Sequence, residues 1–199
     1  NARDRCRGDF LEFVKFHWDG FIMGRHHKIL AEKLNRISQG KCKRLMVMLP
    51  PRHSKSEFAS TYFPAWMMGL NPSLKIIQAT HTAELAVRFG RRVRNIIDSE
   101  EYQAVFPDIS LSGDNKSAGR WTTDDGGEAF YSGVGGAITG RGADLLIIDD
   151  PHSEQDAMSP TAMDAAWEWY TSGPRQRLQP GGTIVLVMTR WSTKDLAGR

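Results

Sequence analysis

The feature that most constrains this chain is a set of short apolar runs that do not alternate and that end in polar residues. Residues 44–49 (RLMVML), 75–80 (KIIQAT), 145–148 (LLII) and 183–188 (TIVLVM) have strand length and little period-two pattern. Strands of that kind lie in a sheet covered on both faces. Helical patterns at residues 25–37, 57–68, 82–97 and about 161–171 separate them. Strands and helices in alternation predict an α/β fold, a central, mostly parallel β-sheet sandwiched between α-helices. In such sheets a ligand sits beyond the C-terminal ends of the strands. Here those ends carry Lys55-Ser56, Thr80-His81, Asp149-Asp150 and Thr189-Arg190. Polar groups at four strand ends on one edge are hard to explain as packing.

The first run feeds a turn, PPRHSKS, and then a helix. A strand, a turn and Lys-Ser at a helix start form the geometry that cradles a nucleotide triphosphate. Pro51, Arg52, His53, Ser54, Lys55 and Ser56 are therefore the candidate phosphate-binding residues. The match is imperfect. The pattern G-x-x-x-x-G-K-[ST], laid over Lys55-Ser56, puts Leu49 at its first glycine and Ser54 at its second. Ser56 and Asp149 are candidate Mg²⁺ ligands. Asp150, just past its strand end, is placed to orient an attacking water. Two arginines are candidates for stabilising transition-state charge. Arg52 lies inside the turn, and Arg141 lies in a loop crowded with Gly133, Gly135, Gly136, Gly140 and Gly142, from which it could reach a neighbouring subunit. Thr189 is a candidate sensor of the γ-phosphate.

Other stretches leave more than one reading open. His26 and His27 lead a helix predicted to turn Ile29, Leu30, Leu34 and Ile37 inward. They either approach a ligand or are polar residues of the entry turn. The basic run Arg88, Arg91, Arg92 and Arg94 is either a solvated helix face or a surface for DNA phosphates, together with loop residues 112–120. Residues 108–119 read as polar loop, with room for a hairpin to a strand near 120–123, and Gln179-Pro180-Gly181-Gly182 reads as a turn.

The 199 residues suit one large domain or two small ones, and a net charge of +3 permits nucleic-acid contact without demanding it. Cys6 and Cys42 match no C-x-x-C pattern and read as free thiols. No apolar stretch approaches the roughly 20 residues of a membrane span. There is no signal peptide and no initiator Met, and residue 199 falls in a helical-looking run, so a fragment of a longer protein is expected.

Taken in order and spacing, PPRHSKS, QATHTAELAVRFGRRVRNII, GVGGAITGRGADLLIIDDP and VLVMTRW resemble the ATPase domain of the large terminase subunit, the DNA-packaging motor of tailed bacteriophages. The resemblance runs from about residue 26 to residue 199, and the segment ending in IIDDP is its most specific part. It implies a P-loop NTPase of the ASCE type that uses ATP and Mg²⁺ to drive double-stranded DNA into a procapsid in the host cell cytoplasm. The implied partners are the portal protein, the small terminase subunit and further copies of the chain in a ring of five. Residues 1–199 would be the motor domain, with 1–40 as a helical, adenine-side segment and a nuclease domain following. Carried onto this chain, the phosphate loop is Arg52 to Ser56 and the acidic pair is Asp149-Asp150. The coupling motif is Met188-Thr189-Arg190, the trans arginine is Arg141, and the adenine pocket involves His26, His27 and Ile29. Two positions depart from the family pattern: Ser54 replaces the usual Gly and Asp150 the more frequent Glu. A related helicase or translocase, or a portal-binding module whose nucleotide loop has decayed, are the competing readings.

Overall fold

The computed structural model describes residues 1–138 and 140–199, without the side chains of 114–116. Thr139 of the glycine-rich segment, and the side chains of Asp114, Asn115 and Lys116 in the polar loop, lie outside the described residues.

Seven strands form one sheet: β1 (Arg44–Met48), β2 (Lys75–Thr80), β3 (Leu111–Ser117), β4 (Arg120–Thr123), β5 (Glu128–Gly133), β6 (Ala143–Asp149) and β7 (Leu178–Met188), in the spatial order β1-β7-β6-β2-β5-β4-β3. The first five in that order are parallel; β4 runs antiparallel to β5, and β3 runs antiparallel to β4 at the sheet's edge. The expected hairpin of residues 108–123 is β3 with β4. The helices are α1 (Ala2–Gly8), α2 (Phe10–His17), α3 (Arg25–Ser38), α4 (Phe63–Leu70), α5 (Ala83–Ile97), α6 (Glu100–Val105), α7 (Glu154–Ala157) and α8 (Pro160–Ser172). Side-chain caps fix several starts: Asp9 accepts from Glu12 N, Thr82 from Leu85 N, Ser99 from Tyr102 N and Ser159 from Ala162 N.

The apolar runs are explained by cover on both faces. On one face Ile76, Leu145, Ile147, Val185 and Val187 pack under Phe10, Phe13, Leu34, Phe58, Trp66 and Val93. Phe10 meets Phe58 and Phe63 edge-on, each at 5.6 Å. On the other face Ile77, Leu146, Ile148, Ile184 and Leu186 pack with Ile138 and Leu196, flanked by Trp167, Trp169 and Tyr170 of α8. Ile138, in the glycine-rich connection from β5 to β6, packs on this face. Cys6 and Cys42 are free thiols. Among the described residues no helix is long and apolar enough to cross a membrane.

Several local expectations need correction. Ile29 is not inward but 50% exposed. The helix expected from residue 57 starts earlier, at Lys55, and passes through a π-helical stretch, Glu57–Tyr62, before α4. Gln78 Nε2 of β2 donates to the Ser60 carbonyl at 3.1 Å, a side-chain bond into the helix ladder that accompanies such widened winding. Residues 179–182 continue β7 past a register irregularity opposite Ala143 and Leu145 instead of turning away. Residues 193–198 form turns, not a helix. They wind around the buried Asp195, which accepts from Arg190 Nε, Trp191 N and Ser192 N.

Candidate nucleotide site

The parallel strands finish in one row. Met48 stands beside Met188, Val187 beside Asp149, and Asp149 beside Thr80, which pairs with Gly133. The polar strand ends picked out in the sequence are therefore neighbours in space.

Beyond β1 the chain makes the turn of residues 49–54 and enters a helix at Lys55. Arg52 (φ +64°) and Ser54 (φ +59°) are left-handed on either side of His53. Alternating handedness of this kind makes a concave nest of backbone N–H groups that suits an anion. Ser54 O accepts from Phe58 N at 3.0 Å, and the first-turn N–H groups of the helix lack partners within it. A cavity of about 280 Å³ opens here, lined by Trp18, Arg52, Ser54, Lys55, Ser56 and Glu57.

Lys55 is only 6% exposed, and a buried ammonium requires a partner. Its Nζ lies 3.0 Å from Asp150 Oδ2. Ser56 Oγ donates to Asp149 Oδ1 at 3.1 Å. Asp149 is 1% exposed, and its Oδ2 has no hydrogen-bond partner. Burial pushes its carboxyl up to about 6, and the neighbouring Asp150 adds to the rise. The Ser60 hydroxyl lies near enough to hold that rise down without closing a hydrogen bond of normal geometry. An orphaned, buried carboxylate oxygen beside a serine hydroxyl is a donor set for a hard cation. Among the described residues no three His, Cys, Asp or Glu side chains form a metal cage. Mg²⁺ is ordinarily held by one or two carboxylates, waters and the substrate's own phosphates.

Asp150 is anchored on every side. Its N–H donates to Val187 O at 2.7 Å, its Oδ1 accepts from Thr189 N at 2.9 Å, and its carbonyl faces His81 Nδ1 at 3.2 Å. Thr189 Oγ1 reaches toward Leu49 O at 3.5 Å, so the end of β7 touches the start of the phosphate turn. On the helical side His27 is buried, stacked on Phe58 at 5.0 Å, and accepts from Gly24 N through Nδ1. Burial, with His26 and His53 nearby, pushes its pKa down. His26 packs 5.6 Å from the His53 ring of the turn, and with Ile29 it lines a groove of about 210 Å³ against residues 45–49.

No family description and no curated protein matches the chain. Among solved structures, that of the bacteriophage HK97 large terminase aligns with a TM-score of 0.63 over 98% of this chain, at 10% sequence identity. The fold is similar to that of a phage large terminase. The chain spans 39% of that protein's length.

Within this terminase-like fold two groups of candidates stand apart from the cavity. Arg141 precedes β6, at the opposite end of the sheet. It pairs with Glu128 at 3.2 Å and lies 4.2 Å over the Phe130 ring. Seven residues of β6, at about 3.3 Å each, put it roughly 20 Å from Asp150. Of the basic run, Arg88 and Arg91 are exposed on α5, whereas Arg92 is committed to Glu57 through Nη1–Oε1 (2.7 Å) and Nη2–Oε2 (2.5 Å). That pair ties α5 to the residue following Ser56. Sequence reasoning did not find the Glu57–Arg92 link, which joins residues 35 apart. It noticed His81 only as a strand end. Thr80 pairing with Asp149, which puts β2 beside β6, gives His81 its significance.

Proposed function

We propose that this chain is the Mg²⁺-dependent ATPase motor domain of a bacteriophage large terminase, driving double-stranded DNA into a procapsid. The observation that carries the reading is the convergence of Lys55 with Asp150 and of Ser56 with Asp149 at one sheet edge, above a left-handed turn. The terminase-like fold supports it.

In this reading residues 51–56 hold the phosphates with backbone N–H groups, and Lys55 moves its ammonium from Asp150 to the β- and γ-phosphates. Ser56 and Asp149 hold Mg²⁺, which when bound neutralises charge on those phosphates. Asp150, released from Lys55 and still held by Thr189 N, orients the attacking water. Arg52, exposed in the turn, stabilises transition-state charge. Arg141 does so for a neighbour in a homo-oligomeric ring. His26, His27 and Ile29 of the 1–40 segment border the base, and Thr189 transmits the state of the γ-phosphate. Arg88 and Arg91 offer charge to DNA phosphates. The portal protein and the small terminase subunit are the further partners, the host cytoplasm is the site of action, and a nuclease domain follows in the intact protein.

Phosphate release by the purified protein with Mg²⁺ and ATP tests this directly. The expected result is turnover that Lys55→Ala and Asp150→Asn each lower by at least about a hundredfold. Turnover unchanged in both variants would sink the reading, and no turnover with or without DNA would favour a binding module.

A further inference from the structure

We propose that His81 is a positioning residue for Asp150, holding the peptide that aims its carboxylate. The inference rests on the ATPase reading and assigns His81 a part in it.

Asp150 adopts φ +41°, a left-handed conformation that a side chain disfavours. Such geometry persists only where its surroundings over-determine it. Four contacts do so here, and they differ in what happens to them during turnover. The N–H bond to Val187 O and the carboxylate bond from Thr189 N come from β7. The Lys55 contact, 3.0 Å to Oδ2, is the one given up when the ammonium turns to phosphate. The Asp150 carbonyl is held from the other side by His81 Nδ1 at 3.2 Å. His81 contacts the Asp150 main chain and not its carboxylate, so its hold does not depend on where the Lys55 ammonium is.

His81 is well held for this task. It directly follows β2, whose Thr80 pairs with Asp149, so the ring stands beside the Asp150 peptide by strand register. The chain beyond it is clamped, because a Cβ on Gly133 would come within 2.7 Å of Ala83 N. The ring is half-buried and borders a cavity of about 230 Å³ with Val134, Pro151, His152 and Asp156. Thr80 Oγ1, 3.5 Å from the same Nδ1, is too distant to replace the carbonyl as its principal partner. The arrangement requires the tautomer with a proton on Nδ1, which donates to the carbonyl. Without that donor, Asp150 can relax out of the left-handed region and swing its carboxylate away. A displacement near 1 Å at a reacting group is enough to lower the rate about a hundredfold.

The test measures kcat for Mg²⁺-ATP hydrolysis and the equilibrium affinity for ATP in the intact protein. It compares the wild type with His81→Leu, His81→Ala and His81→Asn, with Asp150→Asn as reference. The leucine and alanine variants are expected to lose about tenfold to a hundredfold in kcat while binding ATP within about twofold of wild type. His81→Asn, whose amide nitrogen can donate from nearly the Nδ1 position, is expected to recover kcat to within about threefold. Retained ATP affinity also reports a folded protein, and alanine serves where leucine does not fit. Wild-type kcat in both the leucine and alanine variants overturns the proposal, as does an asparagine variant as slow as they are. A wild type that does not hydrolyse ATP, or an Asp150→Asn variant at full rate, removes the ATPase reading itself and this inference with it.

Discussion

Ser54 occupies a position where φ is +59° and glycine would be unstrained. The sequence pattern flagged the missing glycine, and the turn supplies its physical meaning, since a Cβ in this region costs about 1–2 kcal/mol. Ser54→Gly should therefore raise the free energy of unfolding in urea by about 1 kcal/mol, part of the relief being lost to the freer unfolded chain. A variant less stable than the wild type would contradict the strain argument. Asp149 makes a second prediction. Its carboxyl rises from 3.8 to about 6 on folding because it is buried. The folded state then holds the proton more tightly than the unfolded one. This group's contribution is most favourable below the unfolded value and is lost as pH rises through about 6. At about 1.4 kcal/mol per unit, the loss is on the order of 3 kcal/mol. Without Mg²⁺ and nucleotide, Asp149→Asn should gain stability relative to wild type by that order between pH 4 and pH 7. A constant difference across that range would show that the carboxylate is not isolated. Lys55, Ser56, Asp149 and Asp150 were legible as a group because each follows an apolar run. Ile29 was misread because helical periodicity alone cannot say which end of an apolar stripe meets the edge of the sheet.

At the scale of elements, α5 carries the claim about DNA. The helix was legible as a pattern over residues 82–97; the structure caps its start with Thr82 and buries Phe89, Val93 and Ile97. The division of labour among its arginines was not legible, because Glu57 approaches from another helix. With side chains 49% and 29% exposed, the Glu57–Arg92 pair is worth no more than about 1 kcal/mol after screening by solvent. Arg88→Ala and Arg91→Ala should each weaken DNA binding and lower the slope of log affinity against log salt by about one. Arg92→Ala should leave that slope nearly unchanged. An Arg92→Ala slope that falls as far as the other two would mean the pair opens to bind DNA. The π-helical stretch was illegible for a similar reason, since its winding goes with a bond from Gln78 on a strand that follows it in sequence.

For the whole molecule, the alternation of strands and helices made the sheet and its covered faces predictable. The strand order was not, because β7, last in sequence, inserts between β1 and β6. That insertion brings Thr189 N onto Asp150 and lets the turn after β1 meet the end of β6 through Lys55. The site is thus a product of topology acting on residues that are separately unremarked. Arg141 lies at the far end of β6, away from this edge. The most direct test of the central claim is a crystal structure of the protein with Mg²⁺ and a non-hydrolysable ATP analogue. The account predicts phosphates seated on residues 52–56, the Lys55 ammonium moved from Asp150 to the phosphates, and Mg²⁺ at Ser56 Oγ within reach of Asp149. A nucleotide bound elsewhere, with the Lys55–Asp150 pair intact, would contradict it.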